Sequence, residues 1–311
     1  MRTTVLGFIA LIAVTVAFVI GCGGGVSSDV SVAFKPSSLE EIPIIIPGKK
    51  KILATGATGT LRGRIVFDGN RITLAPIVTT DKIKDTERNV CKAASIPNET
   101  LVVEKGGDGI ANVFVYLAKA PKKFKLPEVD SAPVSFDNKN CRFEPHAVFV
   151  RNGQPLNITN SDTIAHNTHT YPVRNRGISE VINFDLEAET NLGLTVVYNK
   201  SEKMPFRVKC DFHTWMEGYQ LTLDHPFAAV TKADGSFEIK GLPVGKHNLV
   251  IWQERAGYID DKYPVTIEEG DDNNIKVEVG PAKFAWFNGP EPKTILISST
   301  TSLQNTTSGG E

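Results

Sequence analysis

Cys210, His213 and Met216 recur at three-residue spacing within FRVKCDFHTWMEGYQ, the stretch from Phe206 to Gln220. A thiolate, an imidazole and a thioether are soft or intermediate donors. A thioether is a poor ligand for Zn²⁺ and a good one for copper. The chemistry these types suit is the binding of one copper ion at a trigonal site of two histidines and a cysteine, with an axial Met. Such a site needs one further imidazole. It has to come from a distant strand end, so that folding rather than the local sequence assembles the set.

The elements that must position these donors are strands. Alternation in FRVKC places Phe206, Val208 and Cys210 on one face, pointing inward. The strand then stops, and a tight loop returns His213 and Met216 to the sulfur. Upstream, VRNGQPLNITN reads as an Asn-Gly turn and a strand, and NSDTIAHNTH follows it with two candidates, His166 and His169. The competing reading of an isolated Cys-x-x-His-x-x-Met is a buried Cys beside a surface His. Likewise His146, in FEPH, reads as a surface strand residue, and His225 and His247 as structural or solvated.

FEPHAVFVRNGQPLNITNSDTIAHN, followed later by FRVKCDFHTWMEG, resembles the cupredoxins, the small blue copper proteins of the plastocyanin and amicyanin type. The resemblance runs from about Ser131 to Pro226 and includes Gly218 after the Met. It implies a Greek-key β-sandwich holding one type 1 copper ion, with His166, Cys210, His213 and Met216 as its ligands. It favours His166 over His169. By the same resemblance Asn167 steadies the two ligand loops by hydrogen bonding. The short Cys-to-Met loop looks most like that of amicyanin. Asp211 and Trp215 depart from the pattern; a carboxylate there would lower the potential, and the indole would shield or expose His213. The implied activity is outer-sphere electron transfer through the edge of an exposed histidine. Clustered His-x-His motifs and the paired cysteines of a binuclear centre are missing, so the reading is an electron carrier and not an enzyme.

The flanks carry a second resemblance. AAVTKADGSFEIKGLPVGKHNLVIWQE, and upstream GTLRGRIVFDGN and GIANVFVYL, resemble a carboxypeptidase regulatory-like domain, a small transthyretin-like β-sandwich. The expected fold class is therefore all-β, with the cupredoxin at 125–224 inserted into a host sandwich made of 58–124 and 225–280. The simpler arrangement is a series of three β segments. The tail, 281–311, is polar, of low complexity, and reads as disordered.

At the other end, Arg2 precedes the apolar run VLGFIALIAVTVAFVI, which stops at Gly21-Cys22. The run is short for a membrane span. A small residue immediately before Cys resembles a bacterial lipobox, which implies a signal peptide at 1–21 and lipid on Cys22. Residues 22–57 then form a tether. The chain is expected to be exported to the periplasmic or cell-surface face of a bacterial membrane, where disulfides persist. The sequence has 4 Cys. If Cys22 carries lipid and Cys210 binds metal, Cys91 and Cys141 remain, to pair or to stay buried as free thiols. Lys and Arg number 34 against 35 Asp and Glu, for a formal net charge of -1. Nothing in that balance suggests a nucleic-acid binder. Expected partners are redox proteins such as c-type cytochromes or a periplasmic oxidoreductase, and the membrane through the lipid. The alternative function is a copper-holding or surface-binding lipoprotein with no electron-transfer role.

Overall fold

Alternating apolar and polar residues govern the described chain, and they fold as strands. The structure is a computed structural model and describes residues 56–70, 72–79, 83–91, 95–176, 183–186, 193–285 and 294–296. The signal segment, Cys22 and the tether up to residue 55 lie outside the described residues.

The strands are β1 (Thr58–Phe67), β2 (Ile72–Leu74), β3 (Val78–Thr79), β4 (Ser95–Ile96), β5 (Phe114–Leu117), β6 (Val134–Lys139), β7 (Arg142–Glu144), β8 (Ala147–Arg151), β9 (Pro155–Asn160) and β10 (His166–Thr170). They continue as β11 (Asn183–Leu186), β12 (Leu194–Val197), β13 (Phe206–Lys209), β14 (Glu217–Leu223), β15 (Ala228–Val230), β16 (Ser236–Pro243), β17 (Gly245–Gln253), β18 (Gly257–Ile267), β19 (Gly270–Val279) and β20 (Thr294–Leu296). The protein is all-β, as its composition of short Val, Ile and Phe runs between Gly and Pro turns predicts.

Two sandwiches account for most of these strands. In one, the sheet β16-β1-β19 faces the sheet β15-β5-β17-β18. Leu61 and Ile65 of β1, Val115 of β5 and Ile251 of β17 meet in its core. Its strands come from both ends of the described chain: β1 pairs with β16 and β19, and β5 with β15 and β17. The Asp234-Gly235 turn opening β16 needs its glycine. Gly235 has φ +76°, and a Cβ there would strike the Ile65 carbonyl.

The other sandwich is formed by the chain between them. The sheet β12-β9-β6-β7 faces the sheet β11-β10-β13-β14-β8. Phe136 and Phe143 stack at 5.1 Å between centroids, and Leu156, Ile158, Tyr198 and Val208 complete the filling. Burying each such side chain contributes about 1.5–3 kcal/mol. At one end this core runs directly into Cys210 and Met216. The sandwiches abut through an apolar layer in which Phe114, Tyr116 and Trp252 of one meet Ala147, Leu221 and Leu223 of the other.

Three expectations change. Residues around Cys91 do not pack with the first sandwich, where the boundary at 124 places them. Val78, Ile83, Cys91 and Ile96 bury themselves in the second sandwich's core. The segment is too polar to reveal its anchors, because they are scattered single residues without a period. The tail is ordered at 281–285 and 294–296. Pro281–Phe284 forms a 3₁₀ turn, Phe284 packs against Phe67, and β20 pairs with β2. One buried aromatic supplies an anchor that average composition conceals. Finally, His146 is buried, with its Nε2 2.6 Å from Glu254 Oε1 across the junction of the sandwiches.

Candidate metal centre

β13 delivers the first donor. Phe206 and Val208 point into the core and Arg207 outward, and the same alternation carries Cys210 inward. The chain then turns back sharply. The Met216 N–H donates to the His213 carbonyl at 2.8 Å, and the Cys210 N–H to the Met216 carbonyl at 3.2 Å. Lys209 and Glu217 pair across the base of this loop as β14 begins. Gly218 follows at once, because a Cβ there would lie 3.0 Å from the His146 carbonyl.

The other imidazole comes from β10. That strand pairs antiparallel with β13, His169 opposite Lys209 and Thr170 opposite Val208. In this register His166, Thr168 and Thr170 point inward and are fully buried. His169 has the opposite parity and faces out, bonded to Asp211 at 3.0 Å. The structure therefore brings His166, and not His169, to the sulfur.

His166 Nδ1 and His213 Nδ1 are 3.0 Å apart. Cys210 Sγ lies 3.9 Å from the former and 3.6 Å from the latter. The exposures of His166, Cys210, His213 and Met216 are 0, 1, 3 and 1 %. These separations suit a single ion bonded to all three at about 2.0–2.3 Å, the usual range for imidazole nitrogen and thiolate. One thiolate and two imidazoles, with a thioether packed in the same core, make a donor set that fits copper.

The surroundings prepare these donors. Burial alone pushes the Cys210 thiol up, but hydrogen bonds from His166, His213 and the Asn167 N–H outweigh it and bring it down to about 6. Asn167 does more: its N–H points at the sulfur at 3.4 Å, and its amide grips Asp211 through Nδ2 to Oδ2 at 2.9 Å and through Oδ1 to the Asp211 N–H. It thus fastens β10 to the ligand loop.

Two residues at the site escaped the sequence reading. Asp162 Oδ2 lies 2.8 Å from His166 Nε2, and the same carboxylate accepts the N–H groups of Asn140 and Cys141 at 2.7 and 2.9 Å. This contact holds the ring so that Nδ1 faces the other donors. Its signal was present: Asp162 lies four residues before His166 in NSDTIAH. The second is Glu87, whose Oε1 lies 3.6 Å from His213 Nε2. Nothing in its polar surroundings marks it.

Glu87 is part of a cover formed by residues 83–91. Ile83 is buried against the core, Val90 packs there too, and Cys91 forms a disulfide with Cys141, Cα to Cα 5.2 Å. Cys141 occupies the turn between β6 and β7, and its carbonyl accepts the Trp215 indole N–H at 3.3 Å. The bridge fastens the cover to the metal end of the second sandwich; it does not clamp one sandwich to the other. The expectation of an exposed histidine edge is corrected as well, since the cover and Trp215, 5.1 Å away between ring centroids, enclose His213.

No family model matches the chain, and no curated protein does. Among solved structures, a purple cupredoxin from Nitrosopumilus maritimus aligns with 17% identity over 29% of this chain and 99% of its own, TM-score 0.24. Amicyanin from Paracoccus versutus aligns with 12% identity over 31% of this chain and 86% of its own, TM-score 0.24. A copper-containing nitrite reductase from Thermus scotoductus aligns with 16% identity over 33% of this chain and 24% of its own, TM-score 0.25.

Proposed function

We propose that this protein is a type 1 copper electron carrier, held by lipid on Cys22 at the outer face of a bacterial membrane. It passes single electrons between extracytoplasmic redox proteins such as c-type cytochromes or a periplasmic oxidoreductase. One observation carries the reading: His166 Nδ1, His213 Nδ1 and Cys210 Sγ converge within 3.9 Å in a buried site. Copper, when bound, supplies the one-electron couple. The residues supply stillness. Asp162 holds the His166 ring, Asn167 ties two strands together, and the disulfide holds the cover down, so the donors keep their places in both oxidation states. Met216, buried in the same core as Cys210, would offer its thioether as a further ligand. The cover over His213 favours a second reading, copper retention without electron traffic.

Copper loading followed by voltammetry tests the proposal. An intense thiolate-to-copper absorption band and a reversible one-electron wave are expected, and Cys210→Ser abolishes both. A band without a reversible wave leaves the retention reading; colour surviving in Cys210→Ser refutes the ligand assignment. The lipid anchor has its own check. Cys22→Ala should release the protein from the membrane fraction or leave it unprocessed, and unchanged membrane association would refute lipid on Cys22.

A further inference from the structure

The surroundings of the Cys210–His213 loop differ on its two sides. On the His213 side the chain is closed. The ring is 3 % exposed, its Nε2 faces Glu87, and the cover that carries Glu87 is pinned by the Cys91–Cys141 bridge. A protein docking there would meet the cover and not the imidazole.

On the other side a short, packed route reaches solvent. Asp211 follows Cys210 directly in the chain, and its carboxylate bonds His169 Nδ1 at 3.0 Å. His169 stacks on Tyr171, with ring centroids 4.3 Å apart and planes 25° from parallel. Tyr171 is 39 % exposed and Val173 64 %. The cations gather here. The Arg207 guanidinium sits over the Tyr171 ring at 5.3 Å, and Arg174 and Arg176 are exposed on the same Tyr171–Arg176 segment. Two carboxylates lie among them: Asp211, engaged by Asn167 and His169, and Glu217, which pairs with Lys209 at 3.1 Å and with Arg207 at 3.9 Å; Arg174, Arg176, Arg207 and Lys209 outnumber them. The result is an aromatic and apolar centre rimmed by positive charge, which favours association with an anionic surface.

We propose that this face, centred on Tyr171, docks a one-electron redox protein with an acidic surface, and that electrons cross through Asp211, His169 and Tyr171 and not through His213. The inference rests on the electron-carrier reading. In each transfer one electron leaves the reduced copper centre and enters the oxidised redox group of the partner, or the reverse with a reduced donor. No bond forms or breaks and no proton moves. His169 and Tyr171 are not oxidised themselves; they are the close-packed medium for tunnelling.

The test uses hexacyanoferrate(III) as an anionic electron acceptor, with the copper-loaded full chain in stopped flow. At low salt, Arg207→Glu and Arg174→Glu should each slow the second-order oxidation by about tenfold or more. The difference should shrink as salt rises. Tyr171→Leu should also slow it, with the absorption band and midpoint potential unchanged in all three variants. Arg88→Glu, on the cover, should leave the rate alone. A second readout needs no copper: redox-inert hexacyanocobaltate(III), titrated into nitrogen-15-labelled metal-free protein, should shift the amides of Tyr171, Arg174 and Arg207. Amide shifts confined to residues 83–91, or a rate lowered by Arg88→Glu and not by Arg207→Glu, overturn the assignment of this face. Absence of the band or of a reversible wave overturns the electron-carrier reading instead, while the amide shifts still decide the surface.

Discussion

Asp162 and His166 share a hydrogen bond of 2.8 Å inside the protein, and the Asp162 carboxylate also holds the N–H of Cys141, one half of the disulfide. A single buried carboxylate therefore connects the imidazole of the candidate metal centre to the bridge that fastens the cover. The burial of Asp162 raises its pKa, but the hydrogen bonds from His166, Cys141 and Asn140 outweigh that and hold it below the usual carboxylate range.

Asp162→Asn removes the charge and keeps the shape. An outer carboxylate of this kind is worth about 10–100-fold in metal affinity, so the copper dissociation constant should rise by that factor with the far-ultraviolet circular dichroism unchanged. Affinity equal to that of the unaltered protein would show that His166 needs no such partner.

In the metal-free protein, Cys210 ionises at about 6, against 9.0 for an ordinary thiol. Ultraviolet titration of the thiolate should find that midpoint, and Cys210→Ser should erase the step. The folded-state value is depressed, so the unfolded chain binds more protons between the two values. The stabilisation from this thiolate is complete above about 9, declines as pH falls, and is gone below about 6. Urea midpoints of metal-free protein, compared with Cys210→Ser, check the sign; a difference that grows towards acid pH contradicts it.

Met216→Leu should retain copper and raise its reduction potential, because an axial thioether favours Cu(II) more than an alkyl group does. Voltammetry and metal analysis read both quantities. Complete loss of copper would make Met216 a primary ligand or a folding residue.

The Cys91–Cys141 bridge spans a sequence separation of 50, for which chain entropy predicts a stabilisation of about 4 kcal/mol. Replacing both cysteines with Ser should lower the urea midpoint accordingly, and should speed alkylation of Cys210 in the metal-free protein by loosening the cover. Unchanged alkylation would mean that Ile83 and Val90 hold the cover without the bridge.

Much of this site is legible in the residues from Phe206 to Gln220. Strand alternation is a property of the backbone and needs no partner, so the inward direction of Phe206, Val208 and Cys210 follows from order alone. Three-residue spacing within one tight loop likewise brings His213 and Met216 back beside Cys210. Donor types, all-β character and the Asp234-Gly235 turn belong to the same class, because each depends on neighbours along the chain.

The choice between His166 and His169 was settled by register. Pairing His169 with Lys209 sets the parity of the whole of β10, and a slip of one residue would turn His166 outward. The enclosure of His213 was likewise a matter of tertiary packing. Glu87 lies more than a hundred residues from His213 in sequence and reaches it only because Ile83, Val90 and Cys91 bury their side chains in the second sandwich. Such contacts come from filling a three-dimensional core, where a few isolated apolar residues suffice to anchor a polar segment. They leave no period in the sequence, and so the donors could be read from the chain while the cover, and the face left open beside it, needed the fold.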